Sequence, residues 1–204
     1  EVLQEIFHEI ICQNIPRTSC MQIFRDLIFI VHTLCKKYDI PYDLVCGEEM
    51  NAVNYLEKLE KAYLLHRCSR YDLQGKEILK TQEKFYLADT ALRYSVLGYN
   101  ADSVASSLEN IVYLELCRRG YTVNVGKTSD GEIDFVAVRQ NEKIYVQVTQ
   151  EINSEKTEKR EYERLLEIHD NYPKYVLTTD EFAGGNYEGI KTMHIADFLL
   201  SSEY

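Results

Sequence analysis

The chain reads as an α/β (α+β) protein, with a helical first part followed by a mixed sheet covered by helices on both faces. Three observations carry this. Apolar residues recur at three- and four-residue intervals over residues 1–38 and 48–61, the mark of amphipathic helices. A ribbon of strand-like segments follows between residues 62 and 89. From Ser103 onward, helical and strand-like segments alternate in the order αβββαββα, which suits a mixed sheet between helical layers. A boundary near residue 100 divides the chain into parts of residues 1–100 and 101–204.

In order, EVLQEIFHEIICQNI and TSCMQIFRDLIFIVHTLCKKY form two helices separated by Pro16 and a Thr18/Ser19 cap signal. His32 beside the second stripe has no histidine four residues on and reads as a packed or surface residue. Ile40-Pro41 breaks the pattern, and a third helix spans Glu48–Lys61, with Met50, Val53, Leu56 and Leu59 on one side. AYLLHRCSRYDL, a turn at Gln74-Gly75, then KEILKT and KFYLAD make the ribbon. Helices followed by a β-ribbon are the layout of a winged helix, whose third helix enters the major groove in DNA readers. Here Glu48, Glu49, Glu57 and Glu60 make that helix acidic, which favours a protein contact over a DNA contact.

The second part opens with a helix from Ser103 to Arg119, its stripe made of Val104, Leu108, Ile111, Val112 and Leu116, with Glu109 at the stripe's edge. Gly120 ends it. Strands Tyr121–Gly126, Glu132–Val138 and Lys143–Thr149 follow, the last two joined by RQNE. A charged helix over Ser154–Asp170 carries Lys156, Lys159, Arg160 and Arg164 interleaved with glutamates, the best local basic patch for nucleic acid in this part. Strands Lys174–Thr178 and Gly189–Ile195, separated by a GGN loop, and a helix Ala196–Ser201 complete the order.

Composition bounds the function. With 45% hydrophobic residues in 204, the chain can build a core. No run of eighteen apolar residues and no signal-peptide pattern is visible, so no membrane association is expected. The opening Glu1 suggests a fragment of a longer polypeptide. Six cysteines without a C-x-x-C pair argue against zinc and for reduced thiols, hence a cytoplasmic setting. The net charge is −10; the first hundred residues hold 12 basic and 14 acidic side chains, the rest 11 and 19. The second part therefore carries most of the excess, the wrong sign for sequence-independent phosphate binding. Gly126-Lys127-Thr128 mimics the end of a phosphate-binding loop, but Tyr121 stands where glycine is required and a strand follows instead of a helix. The chain by itself is therefore expected to turn over no ATP, which a steady-state ATPase assay on wild type and Lys127→Ala checks.

A helix carboxylate (Glu109), a strand carboxylate (Asp134) and an i, i+2 pair in the next strand (Gln147 and Thr149) form an order that can build a Mg²⁺ site for phosphodiester hydrolysis. This order resembles the PD-(D/E)XK nuclease superfamily, with spacing similar to archaeal Holliday junction resolvases. Glu109 then matches the helix glutamate and Asp134 the metal-binding aspartate, both as metal ligands. Gln147 falls where the second strand acid belongs and Thr149 where the lysine belongs, so the catalytic set Glu109, Asp134, Gln147 and Thr149 is degenerate. NYLEKLEKAYLLHRCSRYDLQGKEILKTQEKFYLADTALR, with SLENIVYLELCRRGYTVNVG, GEIDFVAV and YVQVT, resembles the region after the ATPase core in archaeal-type AAA+ ATPases, which end in a nuclease-like domain of unknown function. That resemblance implies an upstream ATPase module in the same polypeptide and DNA as a partner. Three readings stay open: a nuclease-like module without hydrolysis that recognises nucleic acid or docks its ATPase; an endonuclease with Glu132 or Glu151 replacing the lost acid; and an interaction module with no nucleic-acid role.

Overall fold

The computed structural model describes residues 36, 37, 39, 52–129, 131–150, 162–181 and 184–201. The expected helices before residue 52, with His32, Glu48 and Glu49, lie outside that range apart from residues 36 and 37, which are helical. So do Lys156, Lys159, Arg160 and Glu151. The described elements are α1 (Ala52–Lys61), β1 (Leu65–Asp72), β2 (Glu77–Leu87), α2 (Thr90–Leu97), α3 (Val104–Arg118), β3 (Thr122–Lys127), β4 (Glu132–Arg139), β5 (Glu142–Val148), helical residues 162–166 (α4), β6 (Lys174–Thr178), β7 (Gly184–Tyr187), β8 (Ile190–His194) and α5 (Ile195–Leu200).

The strands form one mixed sheet in the order β2-β1-β3-β4-β5-β6-β8-β7. The ribbon β1–β2 is not a separate wing. β1 pairs in parallel with β3 through Arg70–Val125, Tyr71–Gly126 and Asp72–Lys127, so the sheet runs unbroken across residue 100. KEILKT and KFYLAD, expected as two segments, are one eleven-residue strand, β2, whose register against β1 shifts between Cys68 and Arg70. The αβββαββα expectation gains a strand. The GGN segment is paired, as β7, with β8. It escaped the sequence pattern because β7 is an edge strand with all four residues exposed, so backbone pairing holds it with no apolar alternation to announce it.

Helices lie on both faces. One core packs α3 and α5 against the sheet through Tyr86, Val112, Tyr113, Leu116, Phe135, Val146 and Phe198; the other packs α4 through Ile133, Val136, Tyr145, Tyr162 and Leu165. Ile133 and Val136 share a face although three apart, while Phe135 and Ala137 face the other way. A bulge explains this. Asn124 pairs with Val136 and Gly126 with Ile133, so Val125 alone stands opposite Asp134 and Phe135. The bulge draws Val136 over Gly126, where a β-carbon would come within 2.8 Å of its Cγ2.

Gly120 ends α3 as the sequence expects, at φ +84°. Its N–H donates to Cys117 O (2.9 Å) and that of Tyr121 to Leu116 O (3.1 Å), the paired bonds of a Schellman cap. The buried face of α3 keeps Val112 and Leu116 of the expected stripe but departs from the rest of it. It runs through Ser107, Asn110, Val112, Tyr113, Glu115 and Leu116, with Ile111 only half-buried. Polar residues can line it because each has a partner. Ser107 Oγ donates to Ser103 O (2.9 Å) and accepts from Tyr94 Oη (2.8 Å). Asn110 clamps the end of β2, its Oδ1 accepting from Leu87 N (2.8 Å) and its Nδ2 donating to Leu87 O (2.9 Å). This fixes α3 against β2 in one register.

Asn110→Leu leaves the Leu87 N–H and C=O buried without those partners, each group costing about 1–3 kcal/mol. Thermal or urea unfolding should show a loss of that size. A substitution at exposed Asn141 should leave stability within about 0.5 kcal/mol of wild type.

Candidate functional site

The α3–β2 clamp sets Glu109 beside two side chains of β2. Lys84 and Tyr86 are two apart and share a face. Lys84 pairs with Cys68 and Tyr86 with His66 across the ribbon. Glu109 Oε1 accepts from both Lys84 Nζ (2.9 Å) and Tyr86 Oη (2.5 Å). Asp134, half-buried on the β4 bulge, brings its Oδ1 to 3.8 Å from the same Lys84 Nζ.

The strands that carry Asp134 and Gln147 part at this point. The β4–β5 pairing ends at Phe135–Val146, and side chains bridge the gap. Asp134 Oδ2 accepts from Val148 N (2.8 Å), and Asp134 N donates to Gln147 Oε1 (3.3 Å). Gln147 is buried, and it meets Asp134 through the backbone. Thr149 lies past the end of β5, where its N–H donates to Leu177 O (2.9 Å).

The structure therefore brings Glu109 and Asp134 together around a cation that neither motif position supplied. Lys84, Glu109 and Asp134 have side chains 12%, 19% and 14% exposed. Burial opposes the charge of Lys84, but Glu109, Asp134 and Glu132 outweigh it and raise its pKa above the ordinary lysine value. The ammonium thus stays charged throughout the neutral range. Tyr86 is pushed well above the ordinary phenol, by burial first and then by Glu109's charge, so it remains a neutral donor. Burial pushes the neighbouring Cys68 thiol up to about 12 against the opposing pull of Lys84, so it is no thiolate nucleophile at neutral pH.

The remaining sequence candidates have other duties. Glu132 forms an ion pair with Arg70, which is buried. Arg164 Nη1 donates to Glu132 O (3.1 Å), and its guanidinium packs on Gly131, where a β-carbon would meet Nε at 3.0 Å. Glu115, also on the buried face of α3, accepts from Arg118 Nε (2.7 Å) and Arg119 Nε (2.5 Å). Those arginines hold its pKa below the ordinary glutamate value against the effect of burial.

Mg²⁺ does not fit this arrangement. It needs several oxygens in octahedral order, and here the oxygens of Glu109 and Asp134 face an ammonium, a phenol and a backbone N–H. Among the described residues no three or more His, Cys, Asp or Glu side chains are placed to hold a metal ion. No helix among them is long and apolar enough to cross a membrane.

Comparison with known proteins places this architecture among uncharacterized sequences. Residues 29–103 match the model of a domain of unknown function, DUF8612. That match covers α1, the ribbon and α2, and therefore includes Lys84 and Tyr86. An uncharacterized protein of Haemophilus influenzae is 42% identical over 146 residues, 72% of this chain and 36% of that protein. An uncharacterized protein of Methanocaldococcus jannaschii is 31% identical over 161 residues, 75% of this chain and 34% of that protein. The chain thus spans about a third of the length of the curated relatives it matches. No solved structure matches.

Removing the ammonium strands two half-buried carboxylates. Lys84→Met should cost roughly 3–5 kcal/mol at pH 7.5, the range for breaking a buried ion pair from one side. Because the pKa of Lys84 is raised on folding, its contribution is complete below the unfolded value near 10.4 and fades as pH climbs through the higher folded value. Urea unfolding at pH 7.5 and above pH 11 should show the gap between wild type and Lys84→Met narrowing at the alkaline end.

Proposed function

We propose that this chain is part of a longer polypeptide and that residues 101–204 are a PD-(D/E)XK nuclease-like module that binds rather than hydrolyses. The single observation behind this reading is that Lys84 pairs with both Glu109 and Asp134 from within the fold. A hydrolytic site of this type needs both carboxylates turned toward a metal and a third acid beside them. Here the neutral Gln147 stands where the third acid belongs, and Lys84 lies within reach of the other two. Buried charge of this kind locks the helix α3, the bulge of β4 and the ribbon to each other, which serves a rigid docking or recognition surface better than a reactive one. The lengths of the relatives, about three times this chain's match, agree with a module carried by a larger protein; the resemblance to archaeal-type AAA+ ATPases suggests an ATPase as the remainder and DNA as the partner to try first.

One observation favours a second reading, an altered-site nuclease. Lys84 Nζ comes within 3.8 Å of Asp134, and a cation near that aspartate is what Thr149 fails to supply. The substitute acid suggested for that reading, Glu132, is held by Arg70, so the first reading has the stronger support.

Calorimetry with Mg²⁺ and Mn²⁺, and incubation of either ion with plasmid and branched DNA, separates the two. The expected result is no affinity tighter than millimolar and no cleavage, with gel-shift binding of branched DNA that weakens as salt rises. Micromolar metal affinity abolished by Asp134→Asn, together with cleavage lost in Lys84→Met, would establish the nuclease instead.

A further inference from the structure

Asp134 and Arg139 stand at opposite ends of β4, about 17 Å apart along an extended strand. Beyond Arg139 the hairpin turn, the end of α3 and the start of β6 enclose a cleft of about 820 Å³. Its walls carry Arg118, Arg119, Arg139, Lys143, Tyr121 and Tyr172, with Glu142 as the one carboxylate. Four cations against Glu142 and Glu115, the latter held beneath by Arg118 and Arg119, leave a local positive excess in a chain whose net charge is −10.

The cations are held in place before any ligand arrives. Arg119 is half-buried under the cleft, paired to Glu115, with its Nη2 donating to Phe198 O (2.7 Å) and its guanidinium 4.9 Å from the Phe198 ring centre. Arg139 lies over Tyr121 at 4.7 Å, and its Nη1 donates to Arg119 O (3.0 Å). Lys143 Nζ stands 4.8 Å from the ring centre of Tyr172, a tyrosine 41% exposed. The Arg139–Glu142 contact, at 2.6 Å, is between side chains 42% and 60% exposed; water screens such a pair and it is worth little.

We propose that this cleft binds a phosphate-bearing ligand of nucleotide size, its phosphate on Arg139, Arg118 and Lys143 and its flat base against Tyr172. Guanidinium forks match phosphate oxygens in pairs, and a phosphate brings more charge than Glu142 to Arg139. The volume lies in the range of small-molecule sites, and an exposed tyrosine ring stacks on any base. The chemistry is shared by a free nucleotide and by the terminal nucleotide of a strand. The proposal stands on this cleft alone and is independent of the Lys84 site.

Calorimetry of the 204-residue chain with ADP, adenosine, pyrophosphate and a short 5′-phosphorylated oligothymidylate tests it. ADP and pyrophosphate should bind, adenosine should bind far more weakly, and Lys143→Glu should weaken ADP at least about tenfold. Arg118→Gln, at a side chain 69% exposed, should weaken it less and, with Arg119 still paired to Glu115, should stay folded, so it serves if Lys143→Glu folds poorly. Tighter binding of the strand identifies a nucleic-acid end as the source, and tighter binding of ADP a free nucleotide; both support the site. Absence of binding by every phosphate compound, adenosine matching ADP, or full affinity in folded variants would overturn it.

Discussion

The cluster of Lys84 with Glu109, Asp134 and Tyr86 is the constraint on which the rest of the structure depends. A buried ammonium is costly unless opposite charges and hydrogen bonds compensate for lost water. Here the compensation comes from three separate elements: β2 supplies the lysine and tyrosine, α3 the glutamate, and the bulged β4 the aspartate. None of these elements can shift without stranding a charge. The Asn110 clamp on Leu87 and the bulge opposite Val125 are the local devices that hold the geometry. Burial raises the stakes and the backbone devices meet them.

This cluster also ties the ribbon to the remainder of the sheet. Lys84 comes from residues before 100, whereas its carboxylate partners come from residues after it. The parallel pairing of β1 with β3 does the same through the backbone. Two independent kinds of interaction, one electrostatic and one a hydrogen-bond ladder, thus cross the same point in the chain. An ion pair alone could be replaced by packing; with the ladder it also selects which edge of β3 the ribbon joins.

The charge of the molecule is sorted along the β4–β5 hairpin. At one end two acids share a single lysine. At the other, arginines ending α3 and β4 gather with Lys143 around a cleft. Arg118 and Arg119 occupy the last turn and cap of α3, where cations suit the negative end of the helix dipole. Net charge therefore says little about local potential in this chain, because element ends bring four cations to one cleft.

Much of the sheet was legible in the sequence because its strands are short, apolar and bounded by turns: β3 to β6, β8 and the helices α3 and α5 fall within a few residues of their expected places. Period and punctuation are local properties, and glycine at residue 120 ends a helix whatever surrounds it. β7 was not legible, since an exposed edge strand needs no apolar pattern. The buried polar face of α3 was not legible either, because Ser107 and Asn110 depend on partners at Tyr94 and Leu87. Glu109 and Asp134 could be picked out as carboxylates in semi-apolar settings, and Gln147 and Thr149 as neutral residues where charge was wanted. Lys84 could not. In KFYL it alternates with Phe85, and a strand's alternation does not say which face will be covered. What the sequence determined by itself was the kind and order of the elements, through local periodicity and backbone preference. Only the tertiary structure decided which cation meets which acids, because that depends on the edge of β3 that the ribbon joins and on a one-residue bulge, both set by contacts between segments far apart in the chain.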